Sequence, residues 1–188
     1  MFTYQKNLNW LDGINHLPSP NFNDRPFNEV SLLVIHCISL PAGIFGTKQV
    51  QNFFCNKLDV NYDPSFVELS KMQVSAHFFI ERGGEITQFV ACDKRAWHAG
   101  ISSFNGRKNC NDFTIGIELE GTVDTVFTDI QYKQLAKLIK ILLQHFPGLY
   151  QHKKLNICGH SDIAPMRKTD PGIYFAWDIL FNYLNLKN

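Results

Sequence analysis

Two stretches of the chain are apolar at nearly every position and read as strands buried within a sheet. One is Ser31 to Ser39, carrying Leu32, Leu33, Val34 and Ile35, and it is ended by Pro41 and Gly43. The other is Asp112 to Glu120, in which Ile115, Ile117 and Leu119 alternate with Gly116, Glu118 and Glu120. That alternation sends the two glutamates and Gly116 to one face. Gln73 to Glu81 reads as another strand, Arg82-Gly83-Gly84-Glu85 as a hairpin turn, and Glu85 to Val90 as its antiparallel return. Leu155 to Cys158 is a short strand leading to His160.

The helical period is clearest from Asp129 to Phe146. Leu135, Leu138, Ile139, Leu142, Leu143 and Phe146 recur on one side, with Lys133, Lys137 and Lys140 outside. Thr128 is placed to cap it, Gln131 stands where a capping box needs a glutamine, and Pro147-Gly148 stops it. Thr47 to Asn56 predicts a short helix with Val50, Phe53 and Phe54 inward, and Pro171-Gly172 opens a last helix with Phe175, Ile179 and Leu180 inward. Asp59 to Ser70 is polar and reads as a surface excursion. Ala91 to Asn111 reads as a long loop of the kind that often carries function. Pro18, Pro20 and Pro26, set among Asn and Asp, make residues 11–30 part of an irregular N-terminal arm covering about 1–30. The expected fold is therefore one α/β (α+β) domain over residues 1–188, with a mixed central sheet flanked by helices.

Composition narrows the functional classes. A net charge of +1 gives no electrostatic case for nucleic acid or an anionic membrane surface. No apolar run approaches the ~18 residues of a membrane span. The opening Met1-Phe2-Thr3-Tyr4-Gln5-Lys6-Asn7 lacks a basic region followed by an apolar stretch, so no signal peptide and a cytoplasmic protein are expected. Cys37, Cys55, Cys92, Cys110 and Cys158 are odd in number and contain no Cys-x-x-Cys, which fits free thiols in a reducing compartment. Cys37 and Cys158 flank candidate ligands, where a thiolate would compete for a metal.

Candidate chemistry gathers at strand ends. His36 closes the first buried strand, His160 follows Gly159 at another strand end, and Asp170 precedes Pro171, which biases it to extended backbone. Two neutral imidazoles and a carboxylate would leave the fourth position of a tetrahedral zinc ion open to water. Taken singly, each has a plainer reading: a packed core histidine for His36 and His160, and a turn or cap for Asp170. The three are far apart, with no compact spacing such as His-Glu-x-x-His to join them. Glu118, inside an apolar strand, would be costly to bury unless used, and desolvation would raise it toward the range of a general base. Glu120 fits better a solvated strand end. Lys168, two residues before Asp170, reads either as a cation facing a developing oxyanion or as a solvated lysine. His77 and His98 are open to three readings: fourth ligand, substrate contact, or a residue orienting a ligand. The last suits His77 best. Trp97 and His98 suit stacking on a sugar or peptide. His16, His145 and His152 read as surface residues.

Together these segments resemble the zinc-dependent N-acetylmuramoyl-L-alanine amidases of the amidase-2 family. The resemblance runs from about Trp10 to Trp177 and includes Pro18-Ser19-Pro20-Asn21-Phe22-Asn23, Val34-Ile35-His36-Cys37-Ile38-Ser39-Leu40-Pro41 and Val74-Ser75-Ala76-His77. It continues through Asp93-Lys94-Arg95-Ala96-Trp97-His98-Ala99-Gly100, Cys110-Asn111-Asp112-Phe113, the Glu118 segment and Arg167-Lys168-Thr169-Asp170-Pro171-Gly172. It implies a fold like that of peptidoglycan-recognition proteins, with His36, His160 and Asp170 as Zn2+ ligands, Glu118 as catalytic carboxylate and Lys168 as transition-state stabiliser. An aspartate as third ligand is similar to cytoplasmic members of the family that act on 1,6-anhydro-N-acetylmuramoyl peptides. The implied activity is hydrolysis of the lactyl–L-alanine amide in peptidoglycan recycling by a monomer, with Trp97, His98 and Asn111 as substrate contacts. Three positions depart from the pattern: Cys37 replaces an asparagine, and Gln73 and Asn109 stand where arginines would meet peptide carboxylates.

Overall fold

The computed structural model describes residues 3–5 and 9–186. Residues 1, 2 and 6–8 of the expected arm, and 187–188 at the far end, lie outside the described residues. Its centre is a six-stranded mixed sheet built from β1 (Asn15–His16), β2 (Leu32–Ile38), β3 (Phe78–Ile80), β4 (Ile86–Gln88), β5 (Thr114–Glu120) and β6 (Ile157–Gly159). The order across it is β6-β2-β5-β3-β4-β1. The first four of these run parallel, β4 is antiparallel to β3, and β1 lies parallel to β4.

Parallel strands need both faces covered, which explains why β2 and β5 are so continuously apolar. Leu33 and Ile35 of β2 and Ile115, Ile117 and Leu119 of β5 pack against helices α3 (Asp129–His145) and α5 (Trp177–Leu184), later in the chain. The other face is covered in two separate pieces. One gathers α1 (Gln49–Phe54) and α2 (Phe66–Leu69) around Phe79, and the second gathers Ala99, Cys110, Phe113 and Ile163 over Leu32 and Val34.

The capping box at Thr128 and Gln131 is formed. Thr128 Oγ1 accepts from the Gln131 amide, and Gln131 Oε1 accepts from the Thr128 amide at 3.0 Å. The same side chain does more: Gln131 Nε2 donates to the carbonyls of Ile80 and Glu120 at 3.2 and 3.0 Å, fastening α3 to the ends of β3 and β5. Gln131→Ala strands two buried carbonyls, each costing ~1–3 kcal/mol. A loss of about 3 kcal/mol is expected, read as a lower urea midpoint with an unchanged m value.

Several boundaries differ from the sequence expectation. The arm is not irregular: Trp10–Asp12 pairs with Thr3–Gln5, Phe22–Asp24 pairs antiparallel with Lys94–Ala96, and β1 joins the central sheet against Thr87 and Gln88. The supposed excursion at 59–70 contains α2, whose Phe66 is fully buried. The strand expected over 73–81 shortens to β3, and the 91–111 loop contains the strands Lys94–Ala96, Ser103–Phe104 and Arg107–Lys108. The last helix starts at Trp177, not Pro171. Phe175 packs on Tyr132 before the helix begins, so the helical phase buries Leu180 and Leu184 and leaves Ile179 37% exposed.

Candidate active site

Strand register assembles the centre. His36 and Glu118 are direct partners across β2 and β5, and Gly159 pairs with Ile35, so His160 emerges one residue later beside His36. His160 begins α4 (His160–Ile163), where the Ser161 amide donates to the Asp170 carbonyl at 2.9 Å and draws that residue in. Gly172, with φ +89°, holds the other side: a Cβ there would lie 2.2 Å from the Val123 carbonyl oxygen.

Three atoms converge: His36 Nδ1 and His160 Nδ1 are 2.9 Å apart, and Asp170 Oδ2 is 3.1 Å from each. Among the described residues this is the group able to hold a metal ion. His160 Nε2 lies 3.2 Å from the Ala99 carbonyl, an acceptor only, so Nε2 carries the proton and Nδ1 presents its lone pair. Arg167 Nη2 donates to the same carbonyl at 2.7 Å and to that of Ile101 at 2.8 Å. His36 Nε2 faces His98 Nδ1 at 2.9 Å, and His98 Nε2 faces Thr114 Oγ1 at 3.0 Å. With His36 donating to His98 and His98 to Thr114, both Nδ1 lone pairs point at a carboxylate with no proton between them. That donor set fits a divalent cation held by two imidazoles and one carboxylate, each imidazole steadied through its other nitrogen.

Charge states agree. Burial pushes His36 down to about 4, against the opposing pull of Asp170, so it is neutral at physiological pH. Burial would raise Asp170, but the two histidines beside it outweigh burial and hold the carboxyl well below the usual range. Burial raises the Cys37 and Cys158 thiols far above their ordinary value, so neither supplies a competing thiolate. All five cysteines are free.

Glu118 lies beside this group, only 8% exposed, and its Oε2 is buried with no hydrogen-bond partner. Burial, reinforced by Asp170 and opposed by Lys168, raises its carboxyl well above the carboxylate range. Glu120 is not at a solvated end: it is 4% exposed and accepts from the backbone amides of Gly46 and Arg82, holding two loops. The strand end is covered there, so the second glutamate is structural.

A cavity of about 270 Å³ joins His36, Glu118, His160, Asp170, Lys168, Trp97 and His98 to apolar walls from α1 and α2. Asn111 does not line it. Its Oδ1 accepts from the amides of His98 and Ala99 at 3.1 and 2.8 Å, holding the loop that carries them. His77 is fully buried between the Gly116 amide and the Lys94 carbonyl, behind His98.

The role of His98 as the group behind His36 was one of three readings in the sequence, and the signal that selects it is Gly116. The His98 ring occupies the space where a Cβ on Gly116 would lie, with ring atoms at 2.4–2.7 Å. Gly116→Ala is expected to push His98 off His36 and weaken metal binding about tenfold or more, measured by chelator competition.

The sequence profile of the N-acetylmuramoyl-L-alanine amidase family matches residues 26–173. An Escherichia coli K12 protein, 1,6-anhydro-N-acetylmuramyl-L-alanine amidase AmpD, is 49% identical over 169 residues, covering 89% of this chain and 90% of that one. A crystal structure of a selenomethionine AmpD derivative superposes with a TM-score of 0.88 at 46% identity, covering 94% of this chain and 97% of the other. The E. coli amidase AmiD, in complex with the substrate anhydro-N-acetylmuramic acid-L-Ala-D-γ-Glu-L-Lys, superposes at 0.57 with 30% identity over 85% of this chain and 58% of that one. This chain belongs to the N-acetylmuramoyl-L-alanine amidase family. It is an enzyme with the mixed-sheet fold of that family and a possible His-His-Asp metal centre.

Proposed function

We propose that this chain is a zinc amidase that cleaves the amide between the lactyl group of 1,6-anhydro-N-acetylmuramic acid and the L-alanine of a soluble muropeptide. It acts as a single domain over residues 1–188 and as a monomer, in the cytoplasm, on fragments recycled from peptidoglycan. The observation that carries the chemistry is the convergence of His36 Nδ1, His160 Nδ1 and Asp170 Oδ2 beside the unpartnered Glu118. The substrate class follows from the relative that is 49% identical over nine-tenths of both chains. No helix among the described residues is long and apolar enough to cross a membrane.

In this reading His36, His160 and Asp170 hold the ion, which when bound supplies Lewis acidity toward a substrate carbonyl and a water molecule. Glu118 takes the proton from the attacking water and delivers it to the leaving amine nitrogen. Its raised affinity for protons suits it to both halves of that transfer. Lys168, on the cavity wall, places an ammonium toward the oxygen that becomes negative on attack. Trp97, tethered through Nε1 to Asn23 Oδ1 at 2.9 Å, offers a ring face to the sugar or peptide. His98 and Asn111 act one step behind the substrate.

The test is mass spectrometry of the purified protein with 1,6-anhydro-N-acetylmuramoyl-tripeptide. Release of free tripeptide that stops on chelation and returns with zinc is expected. No cleavage by zinc-loaded protein would overturn the proposal. Equal cleavage of intact wall and anhydromuropeptide would overturn the assigned substrate class.

A further inference from the structure

Arg25 comes from the N-terminal arm, one residue before Pro26, in a segment whose sequence gave no sign of chemistry. Its guanidinium is sunk beneath the floor of the active site. Nη1 donates to the carbonyls of Asn111 and Asp112 at 3.1 and 3.2 Å, and Nη2 donates to those of Thr114 and Cys92 at 2.8 and 3.3 Å. Its Nε is buried without a partner. Nη2 also approaches His77 Nε2 at 3.1 Å, but that nitrogen already faces the Lys94 carbonyl as a donor, so the approach adds no hydrogen bond. The nearby carboxylate of Asp112 pairs instead with Arg95.

A buried cation bonded to neutral carbonyls is a poor choice for stability alone. What it grips explains its position. Asn111 and Thr114 are the two residues that hold His98: Asn111 Oδ1 accepts from the His98 amide, and Thr114 Oγ1 meets His98 Nε2. One planar fork thus fixes the backbone at both supports of His98, and His98 in turn meets Nε2 of the ligand His36. A guanidinium spans such divergent carbonyls, whereas an ammonium presents a single point charge.

We infer that Arg25 is a positioning residue for the metal centre, fixing His36 through Asn111, Thr114 and His98. The inference rests on the metal-site reading above. It predicts that Arg25 controls how tightly and in what geometry the ion is held, without touching ion or substrate.

The experiment measures zinc affinity by chelator competition and the visible spectrum of the cobalt-substituted protein. The proteins are wild type, Arg25→Met, Arg25→Lys, Gln131→Ala, His98→Ala and the His98→Ala/Arg25→Met double variant. Arg25→Met is expected to lower zinc affinity about tenfold and shift the cobalt bands. Arg25→Lys, which keeps the charge and loses the fork, is expected to show the same direction and covers the case in which Arg25→Met does not fold. Gln131→Ala, destabilised at a remote cap, keeps wild-type affinity. In the His98→Ala background Arg25→Met has no further effect on affinity. Wild-type affinity and spectrum in either folded Arg25 variant would overturn the inference alone. So would an equal loss in Gln131→Ala, or full additivity with His98→Ala. Absence of zinc binding by the wild type would overturn the site reading and this inference with it.

Discussion

Glu118→Gln is expected to lower kcat by about two to four orders of magnitude, the range for a lost general acid–base, while zinc content stays at the wild-type level. The amide keeps the shape of the carboxyl and removes only the proton transfer. None of the three converging donor atoms belongs to Glu118, so metal retention separates loss of chemistry from loss of the site. The pH profile gives a second readout. Burial raises the Glu118 carboxyl, so the ionised base is lost as pH falls through that raised value, and the wild-type acid limb reports it. The residual activity of Glu118→Gln lacks that limb. Stability moves the other way. A carboxyl whose folded-state pKa is raised binds a proton more tightly folded than unfolded, so the metal-free wild type loses stability as pH rises between the two values. Metal-free Glu118→Gln therefore melts higher than wild type near neutral pH, by about 3 °C for each kcal/mol relieved, and the gap closes in acid. Near-normal turnover with zinc bound would remove Glu118 from the mechanism.

Asp170→Ala is expected to abolish both zinc binding and activity. The ligand set has one negative charge, and Asp170 supplies it: His36 is held neutral by burial, and the Asp170 carboxyl is kept ionised by its two histidine partners. Removing it leaves two neutral imidazoles facing each other, a much weaker cage for a divalent ion. The thermal readout is direct. Zinc at 1,000 times its dissociation constant stabilises the wild type by about 4 kcal/mol, a Tm rise of about 10 °C for a chain of this length. Asp170→Ala should show almost none of it. A zinc-dependent Tm shift equal to wild type would place the ion elsewhere.

The parts of this fold legible in the sequence are those where one local signal dominates. β2 and β5 are apolar enough to need cover on both faces, and α3 announces itself through its period and the Thr128–Gln131 box. His36 and Glu118 lie within the two strands that the apolar runs announced, and His160 follows the third. The arm was misread because its strands are two or three residues long, rich in Asn and Asp, and exist only through partners at 87–88 and 94–96. Nothing within 11–30 encodes those pairings. Glu120 was misread for a related reason: its partners are backbone amides of Gly46 and Arg82, which carry no residue-type signature. Arg25 and Asn111 escaped as positioning groups because each acts on backbone atoms of distant segments. Side chains that do chemistry leave residue-type clues, whereas those that hold backbone in place leave almost none.

The site's dependence on strand order also fixes when it comes into being. His36 and His160 are separated by 124 residues, and Asp170 lies 134 residues from His36. During synthesis no third donor exists until residue 170 has been made. A metal ion held by these three residues would therefore join strands that apolar packing has already drawn together, and would not serve as a template for the nascent chain.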